Sequence, residues 1–202
     1  MTSPDPKSER LQATHDFKRK AILKAARAVF AREGKPGLTI RAVAAEAGYA
    51  AGAVYSYFSS KDEIAAQLIA EDLSLLAKRL KDADAPMTNV DAARRLGHLA
   101  AETFRALSSQ SDLLMLAGAA LSNDALPHDV DRMLNGRLIA ALMALGGPIK
   151  DRDSEEARLS TLATAAVVLG AAMLERAGRL DILGVTSDEL LTHAVERFSK
   201  SA

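Results

Sequence analysis

The side chains between residues 39 and 61 include several that can bind DNA. Tyr55 and Tyr57 carry hydroxyl groups that can donate hydrogen bonds to phosphate oxygens. Arg41 can reach a phosphate or the edge of a guanine. Lys61 stands where a helix is predicted to begin, and the dipole of that helix also favours a phosphate. The chemistry expected of this segment is therefore noncovalent recognition of a duplex.

Small residues occupy the part of the segment that would face the bases. Residues 50–57 are predicted to form a short recognition helix, in which Ala51 can lie against a thymine methyl group and Gly52 permits close approach of the backbone. Ala50 stands at the start of this helix. Thr39 is predicted to cap the preceding helix, because its hydroxyl can accept from a backbone N–H that lacks an intrahelical partner.

The positions of the apolar residues predict two short helices joined at a glycine. The first helix buries one face, Gly48 suits the left-handed position that ends it, and Val54 with Phe58 make an apolar pair four residues apart on the second. This spacing is that of a helix-turn-helix unit. Taken alone, the same pattern also fits an ordinary alanine-rich bundle whose tyrosines are merely on the surface.

The distribution of charge favours DNA binding. The chain has no net charge, but residues 1–70 have a net charge of +4 and residues 71–202 a net charge of −4. Residues 15–61 reach +6, and Lys20, Lys24 and Arg27 are spaced to form a basic ridge on one helix. Because cations that neutralise phosphates supply most nonspecific affinity, the segment is suited to DNA.

Apolar residues recur at spacings of three and four along nearly the whole chain, and no stretch alternates as a strand does, so the predicted fold is all-α. The expected organisation is a flexible arm over residues 1–14, a helix-turn-helix domain over 15–62 and a helical domain over 63–202. Helices are predicted near residues 15–33, 39–47, 50–57, 60–81, 90–108, 111–122, 127–145, 154–178 and 187–199.

Several motifs together resemble the N-terminal domain of the TetR family of transcriptional repressors. The matching stretches are Ala25-Ala26-Arg27-Ala28-Val29-Phe30, Glu33-Gly34, Leu38-Thr39-Ile40, Ala44, Ala47-Gly48 and Gly52-Ala53-Val54-Tyr55-Ser56-Tyr57-Phe58-Ser59-Ser60-Lys61-Asp62-Glu63. The resemblance covers about residues 17–64, and the helices that follow match the family in number and order without a diagnostic motif.

The resemblance implies a dimer that binds a palindromic operator and releases it when a small molecule enters the C-terminal bundle. It also implies that Thr39, Tyr55, Tyr57 and Lys61 contact phosphates, and that residues near Arg41 and over 50–52 contact bases. The chain departs from the family pattern after Gly48, where Tyr49 and Ala50 replace a small aliphatic residue and a serine or threonine. The recognition helix is therefore expected to lack a side-chain cap.

The C-terminal domain contains a helix that is apolar on nearly every side, between Leu162 and Leu174. A soluble helix of this kind is buried on more than one side, either at the centre of a monomer or between two subunits. We expect a homodimer in which this helix and helix 187–199 form a four-helix seam. The predicted interface residues are Ala163, Val167, Gly170, Leu174, Leu191, Val195 and Phe198.

An effector pocket is expected among the helices of the same domain. Methionine adapts to irregular ligands, although methionine at helical spacing is also ordinary core. The candidate pocket residues are Phe104, Leu107, Met115, Met133, Met143 and Met173. His98, Glu102 and Arg105 share one helical face, which can be a solvated face or a polar wall of the pocket.

Other function classes find little support in the sequence. No metalloprotease motif or phosphate-binding glycine loop is present, and the chain has no cysteine to act as a nucleophile. We therefore expect no enzyme activity, no cofactor and no metal. The apolar run 162–174 is shorter than the roughly 20 residues that span a bilayer, so a cytoplasmic protein without a membrane segment is expected.

The sequence thus predicts a TetR-type regulator, with repression as the expected sign of control. A helical ligand-binding or protein-interaction module without sequence-specific DNA binding is the alternative, and a small all-α enzyme is a more distant one. Turnover would distinguish the enzyme, and a bound small molecule without DNA binding would distinguish the module.

Overall fold

The computed structural model describes residues 5–87, 90–109, 126–146 and 155–199. The described chain is helical throughout and has no strand, which confirms the predicted all-α fold. Its helices, numbered here in chain order, are α1 (Pro6–Gly37), α2 (Ile40–Ala47), α3 (Ala51–Tyr55), α4 (Lys61–Asp84), α5 (Ala92–Ser109), α6 (His128–Gly146), α7 (Glu155–Arg176), α8 (Arg179–Leu183) and α9 (Ser187–Ser199).

The helix ends are fixed by the caps that the sequence indicates. Thr39 accepts a hydrogen bond from Ala42 N–H at 3.2 Å, and Gly48 ends α2 in the left-handed conformation with φ 72°. Ser60 accepts from Glu63 N–H at 3.0 Å at the start of α4. At α9, Thr186 and Glu189 cap each other, and these hydrogen bonds lower the pKa of Glu189.

The first helix is longer than predicted. It begins at Pro6, because Asp5 accepts from Lys7 N–H at 3.2 Å and proline suits the first helical turn. Residues 6–14, predicted as part of a flexible arm, are therefore helical. A break at Gly34, with φ 67°, marks the predicted stop. The short helix α8 was not predicted, and the predicted helix 111–122 lies outside the described residues.

Three apolar clusters hold the helices together. The head cluster joins α1, α2 and α3 to the first half of α4 and to Val130 and Leu134 of α6. The middle cluster joins the second half of α4 to α5 and α6. The distal cluster joins α5, α7 and α9. The head cluster contains residues of α4 and α6 as well as of α1, α2 and α3. The predicted domain boundary at residue 62 therefore does not separate two apolar cores.

An ion pair also connects α1 to α4. Asp72 is only 3% exposed, and its carboxylate lies 2.8 Å from Nη2 of Arg27 and 3.0 Å from Nη1. Burial alone would lower the pKa of Arg27, but hydrogen bonds and attraction from Asp72 and Glu71 outweigh it and raise the pKa. The predicted basic ridge is thus wrong at Arg27, whose charge faces the body, and only Lys20 and Lys24 remain exposed.

By length and composition alone, α7 is apolar enough to cross a membrane. The stretch Arg158–Arg176 has a mean hydropathy of 1.3, with 22% of it buried. This criterion is weak, because the core helix of a bundle also meets it. One side of α7 packs against α5, α6 and α9, and its exposed side leaves apolar surface that a second copy of the chain can cover.

We predict that Arg27→Met destabilises the fold by about 2–4 kcal/mol, because it leaves the buried Asp72 carboxylate without its cation. Urea unfolding at one fixed protein concentration measures the change. Adding Asp72→Leu should recover most of the loss, since an apolar pair of similar size carries no unpaired charge. Arg32→Met, on an exposed arginine of the same helix, should leave the free energy of unfolding nearly unchanged. Equal losses at both arginines would contradict the buried-pair account.

Candidate nucleic-acid interface

The two-helix unit is held by side chains that point into the head cluster. Val43 and Ala44 of α2 and Val54 of α3 are buried, and Phe58 is buried just after α3. The backbone N–H groups of Tyr57 and Phe58 both bond to Val54 O, at 2.9 and 3.0 Å, which closes α3. With one side of each helix buried, the opposite sides of α2 and α3 face solvent.

The predicted DNA contacts lie on or beside these outer faces. Thr39, Arg41, Ala50, Gly52, Tyr55 and Lys61 are exposed, and Ala51 and Tyr57 are half-buried. Tyr55 is 58% exposed, and a Cβ built on Gly52 meets no atom within 4 Å. Lys61 Nζ lies 3.5 Å from Asp62 Oδ1, a contact that it would exchange for a phosphate. Their roles in binding remain predictions.

The unusual turn between α2 and α3 has a structural explanation. Ala50 is the N-cap of α3 and provides no side-chain hydrogen bond, as predicted. Tyr49 packs against the head cluster, and its N–H donates to Ala44 O at 2.8 Å. The tyrosine therefore holds the turn by packing against the core, whereas a side-chain cap would hold it through a hydrogen bond on the solvent side.

Arg19 is a central residue of this region that the sequence did not single out. Its Nη1 donates to Tyr57 O at 2.7 Å, and its guanidinium carbon lies 4.2 Å from the centre of the Phe58 ring. Its Nη2 is 3.7 Å from Glu63 Oε1. The arginine thus ties α1 to the chain between α3 and α4. Its separation of 38 residues from Tyr57 left no local signal for this contact.

The basic side chains of α1 and α2, and of the segment between them, divide into two groups. Arg19 and Arg27 are partly buried and paired, and the exposed Arg32 ties α1 to α2 through Glu46 at 3.1 Å. By contrast, Lys20, Lys24, Lys35 and Arg41 are exposed and form no ion pair within the described part of the chain. The second group therefore supplies positive charge that remains available to an anionic partner.

The predicted pocket residues do not come together. Phe104 and Leu107 are buried in the distal cluster, whereas Met133 packs against the head cluster. Met143 is exposed and Met173 is 56% exposed. Met115 lies outside the described residues. The described candidates lie in different clusters or face solvent, and a pocket that they share stays a prediction.

The predicted dimer residues fall into two classes. Ala163, Val167 and Gly170 are half-buried on α7, and Leu174 is exposed. Leu191 and Val195 of α9 are instead buried in the distal cluster of their own chain, so they offer little surface to a partner. The side chain of Phe198 lies outside the described residues.

The solvent-facing stripe of α7 is formed by other residues of the same helix. Leu159, Leu162 and Met173 are all more than half exposed, and Ala166 lies between them. Their spacing places them along one side of the helix.

Comparison with known families identifies the N-terminal domain. The family model of bacterial regulatory proteins, tetR family, matches residues 22–68. This range contains α2, the turn and α3, so the resemblance predicted from the sequence is confirmed and the unit is a tetR-type helix-turn-helix. No curated protein matches the whole sequence significantly.

Solved structures share the fold over about nine tenths of the chain. A transcriptional regulator from Rhodococcus sp. Rha1 has a TM-score of 0.69 at 22% identity, covering 91% of this chain and 97% of its own. The regulator FadR from Bacillus subtilis, in complex with stearoyl-CoA, has a TM-score of 0.63 at 18% identity, and the match covers 89% of this chain and 96% of FadR. A TetR family transcription regulator from Marinobacter aquaeolei VT8 has a TM-score of 0.64 at 15% identity, and the match covers 93% of this chain and 97% of that protein. At these identities the likeness concerns the fold.

We predict that Ala50→Ser raises the free energy of unfolding by about 0.5–1 kcal/mol, because the hydroxyl can accept one of the free N–H groups at the start of α3. Urea unfolding measures the gain. Ala53→Ser, at an exposed position inside the same helix, should give no gain. Equal changes at both positions would show that the cap is not the cause.

Proposed function

We propose that this protein is a TetR-type transcriptional regulator, most simply a cytoplasmic repressor. It binds a palindromic operator as a homodimer and leaves it when a small-molecule effector binds the C-terminal bundle. The observation that supports this most strongly is the pairing of a tetR-type helix-turn-helix with exposed cations that have no ion-pair partner within the described residues. Enzyme activity has no part in the proposal.

In the proposed complex, α3 enters the major groove. Ala51 and Gly52 allow the helix to approach base edges, and Arg41 reaches a guanine or a phosphate. The hydroxyl of Thr39 already accepts from Ala42 N–H, but its own proton is free to be donated to a phosphate. Tyr55, Tyr57 and Lys61 would contact the backbone, which fixes the orientation of the helix.

The exposed stripe of α7 supports the proposed dimer. Leu162 and Met173 are 51% and 56% exposed, and apolar side chains at helical spacing gain from burial against a second copy. Ala166 and Gly170 allow two helices to approach closely. A twofold dimer then presents two recognition helices to half-sites about 34–36 Å apart, which is one turn of DNA.

The shared head cluster supports the proposed route of effector release. Val130 and Leu134 of α6 pack in the same cluster as the helix-turn-helix, and α4 runs from this cluster into the body. An effector that favours another arrangement of α4 and α6 would change the distance between the two helix-turn-helix units of the dimer. It can shift the population only by its differential affinity for the two states.

Anisotropy or mobility-shift titrations against the DNA upstream of the protein's own gene test the proposal. Salt between about 50 and 200 mM should weaken binding by orders of magnitude, and a scrambled duplex should bind far less tightly. Stearoyl-CoA is the first effector to add, because FadR binds it; free CoA and stearate are its controls. If no duplex bound with sequence preference, a helical ligand-binding or interaction module would be the better description.

We predict different effects from two of the proposed phosphate contacts. Lys61→Ala should lower the slope of log K against log salt by about 0.9 for each contact, hence about 1.8 for a dimer. Tyr55→Phe should weaken binding about fivefold or tenfold without changing this slope, since it removes a hydrogen bond but no charge. Lys78→Ala on α4 is the matched control, an exposed lysine about 25 Å further along the helix. An unchanged slope in Lys61→Ala would exclude its phosphate contact.

We predict that Leu162→Glu shifts the protein from dimer to monomer, because a charge in the exposed stripe of α7 cannot be buried against a second copy. Sedimentation velocity measures the shift, and operator affinity should fall with it. Leu11→Glu places the same charge on an exposed apolar position of α1 and should leave the dimer intact. A monomeric wild-type protein, or a dimer that tolerates Leu162→Glu, would rule out this interface.

A further inference from the structure

The chain between α3 and α4 carries one of the proposed DNA contacts and leads directly into another, but it has little secondary structure of its own. Residues 56–60 form a turn and an extended stretch between the two helices. Tyr57 lies inside this segment, and Lys61 follows it as the first residue of α4. The positions of both side chains therefore depend on how the segment is held.

One side chain from α1 supports this segment at several points. Arg19 donates to Tyr57 O at 2.7 Å and stacks on the ring of Phe58 at 4.2 Å. It also lies 3.7 Å from Glu63, whose other oxygen accepts from the N–H and hydroxyl of Ser59 at 2.7 and 2.8 Å. Direct and indirect contacts of a single guanidinium thus reach three consecutive residues, 57 to 59.

We propose that Arg19 is a positioning residue for DNA binding, which fixes Tyr57 and Lys61 against the phosphates without contacting DNA itself. The proposal rests on the proposed function. The Arg19 side chain is largely buried, with one face on the Phe58 ring and donors directed at Tyr57 and Glu63. Because its groups are engaged inside the protein, its effect on affinity should pass through the residues that it holds.

The planar guanidinium is what allows these contacts to exist together. It can stack on an aromatic face while it donates in two in-plane directions, whereas a lysine ammonium is a compact point charge. Arg19→Lys therefore retains the charge near DNA but loses the stacking, and it cannot keep both the hydrogen bond to Tyr57 O and the ion pair with Glu63. Long-range electrostatic attraction also contributes to DNA affinity. Because this variant keeps the charge, a loss of affinity reports the positioning of Tyr57 and Lys61 and not a change in that attraction.

A double-mutant cycle tests the proposal on the full-length dimer. In the wild-type background, Lys61→Ala should weaken operator binding about tenfold, and in the Arg19→Lys background less than about threefold, because Lys61 is already misplaced. Arg32→Lys is the matched control, since Arg32 ties α1 to α2 through Glu46 but does not contact the segment. In that background Lys61→Ala should still cost about tenfold. An equal cost in the Arg19→Lys background overturns the proposal.

Amide hydrogen exchange provides a second measurement that needs no DNA. Arg19→Lys should speed the exchange of the N–H groups of residues 57–59 and leave α2 unchanged; unaltered exchange at 57–59 overturns the positioning role. If Arg19→Lys fails to fold, Arg19→Gln replaces it, because an amide can still donate to Tyr57 O. Should the wild-type protein bind no operator, the proposed function fails, and with it the role of Arg19 in DNA binding. The exchange data then still decide whether Arg19 holds the segment.

Discussion

Helices α1, α2 and α3 cannot enclose their own apolar residues, and the remainder of the structure depends on this constraint. Their buried side chains form one cluster only because the first half of α4 and the start of α6 cover them. Small domains bury a low fraction of their surface, so two further helices add the apolar contact that α1, α2 and α3 lack. The helix-turn-helix is consequently built on the body of the protein and cannot be moved independently of it.

The ion pair between Arg27 and Asp72 fixes the relative position of two of these packed helices, α1 and α4. Apolar contacts tolerate small sliding of one helix on another, whereas a buried carboxylate needs its cation in one place. The pair fixes how α1 lies along α4, and Arg19 fixes how the chain leaves α3 toward α4. Two arginines of one helix thus hold α1 against α4 and against the chain that leads into it. The lysines of the same helix are left for solvent or DNA.

The sequence predicted local features well and long-range ones poorly. Thr39, Gly48 and Ser60 determine helix ends through bonds to neighbours within a few residues, so their positions could be inferred directly. The start of α1 was missed because the capping role of Asp5 was not recognised. The partners of Arg19 and Arg27 lie 38 to 45 residues away, and a single sequence gives no sign of them. The predicted pocket residues lie in different clusters or face solvent, because methionine spacing within a helix does not show which neighbour each face meets.

The open space around Gly52 has an evolutionary consequence. The glycine lies on the outer face of α3, has no left-handed backbone angle, and has nothing near the position of a Cβ. Tyr49 holds the turn from the core, so the exposed residues Ala50 and Gly52 contribute little to the stability of the fold. Side chains at the tip of the recognition helix can accordingly change under selection without disturbing the protein's interior. Under the proposed function, single substitutions at the tip of α3 would change the preferred operator while the scaffold behind them stays constant.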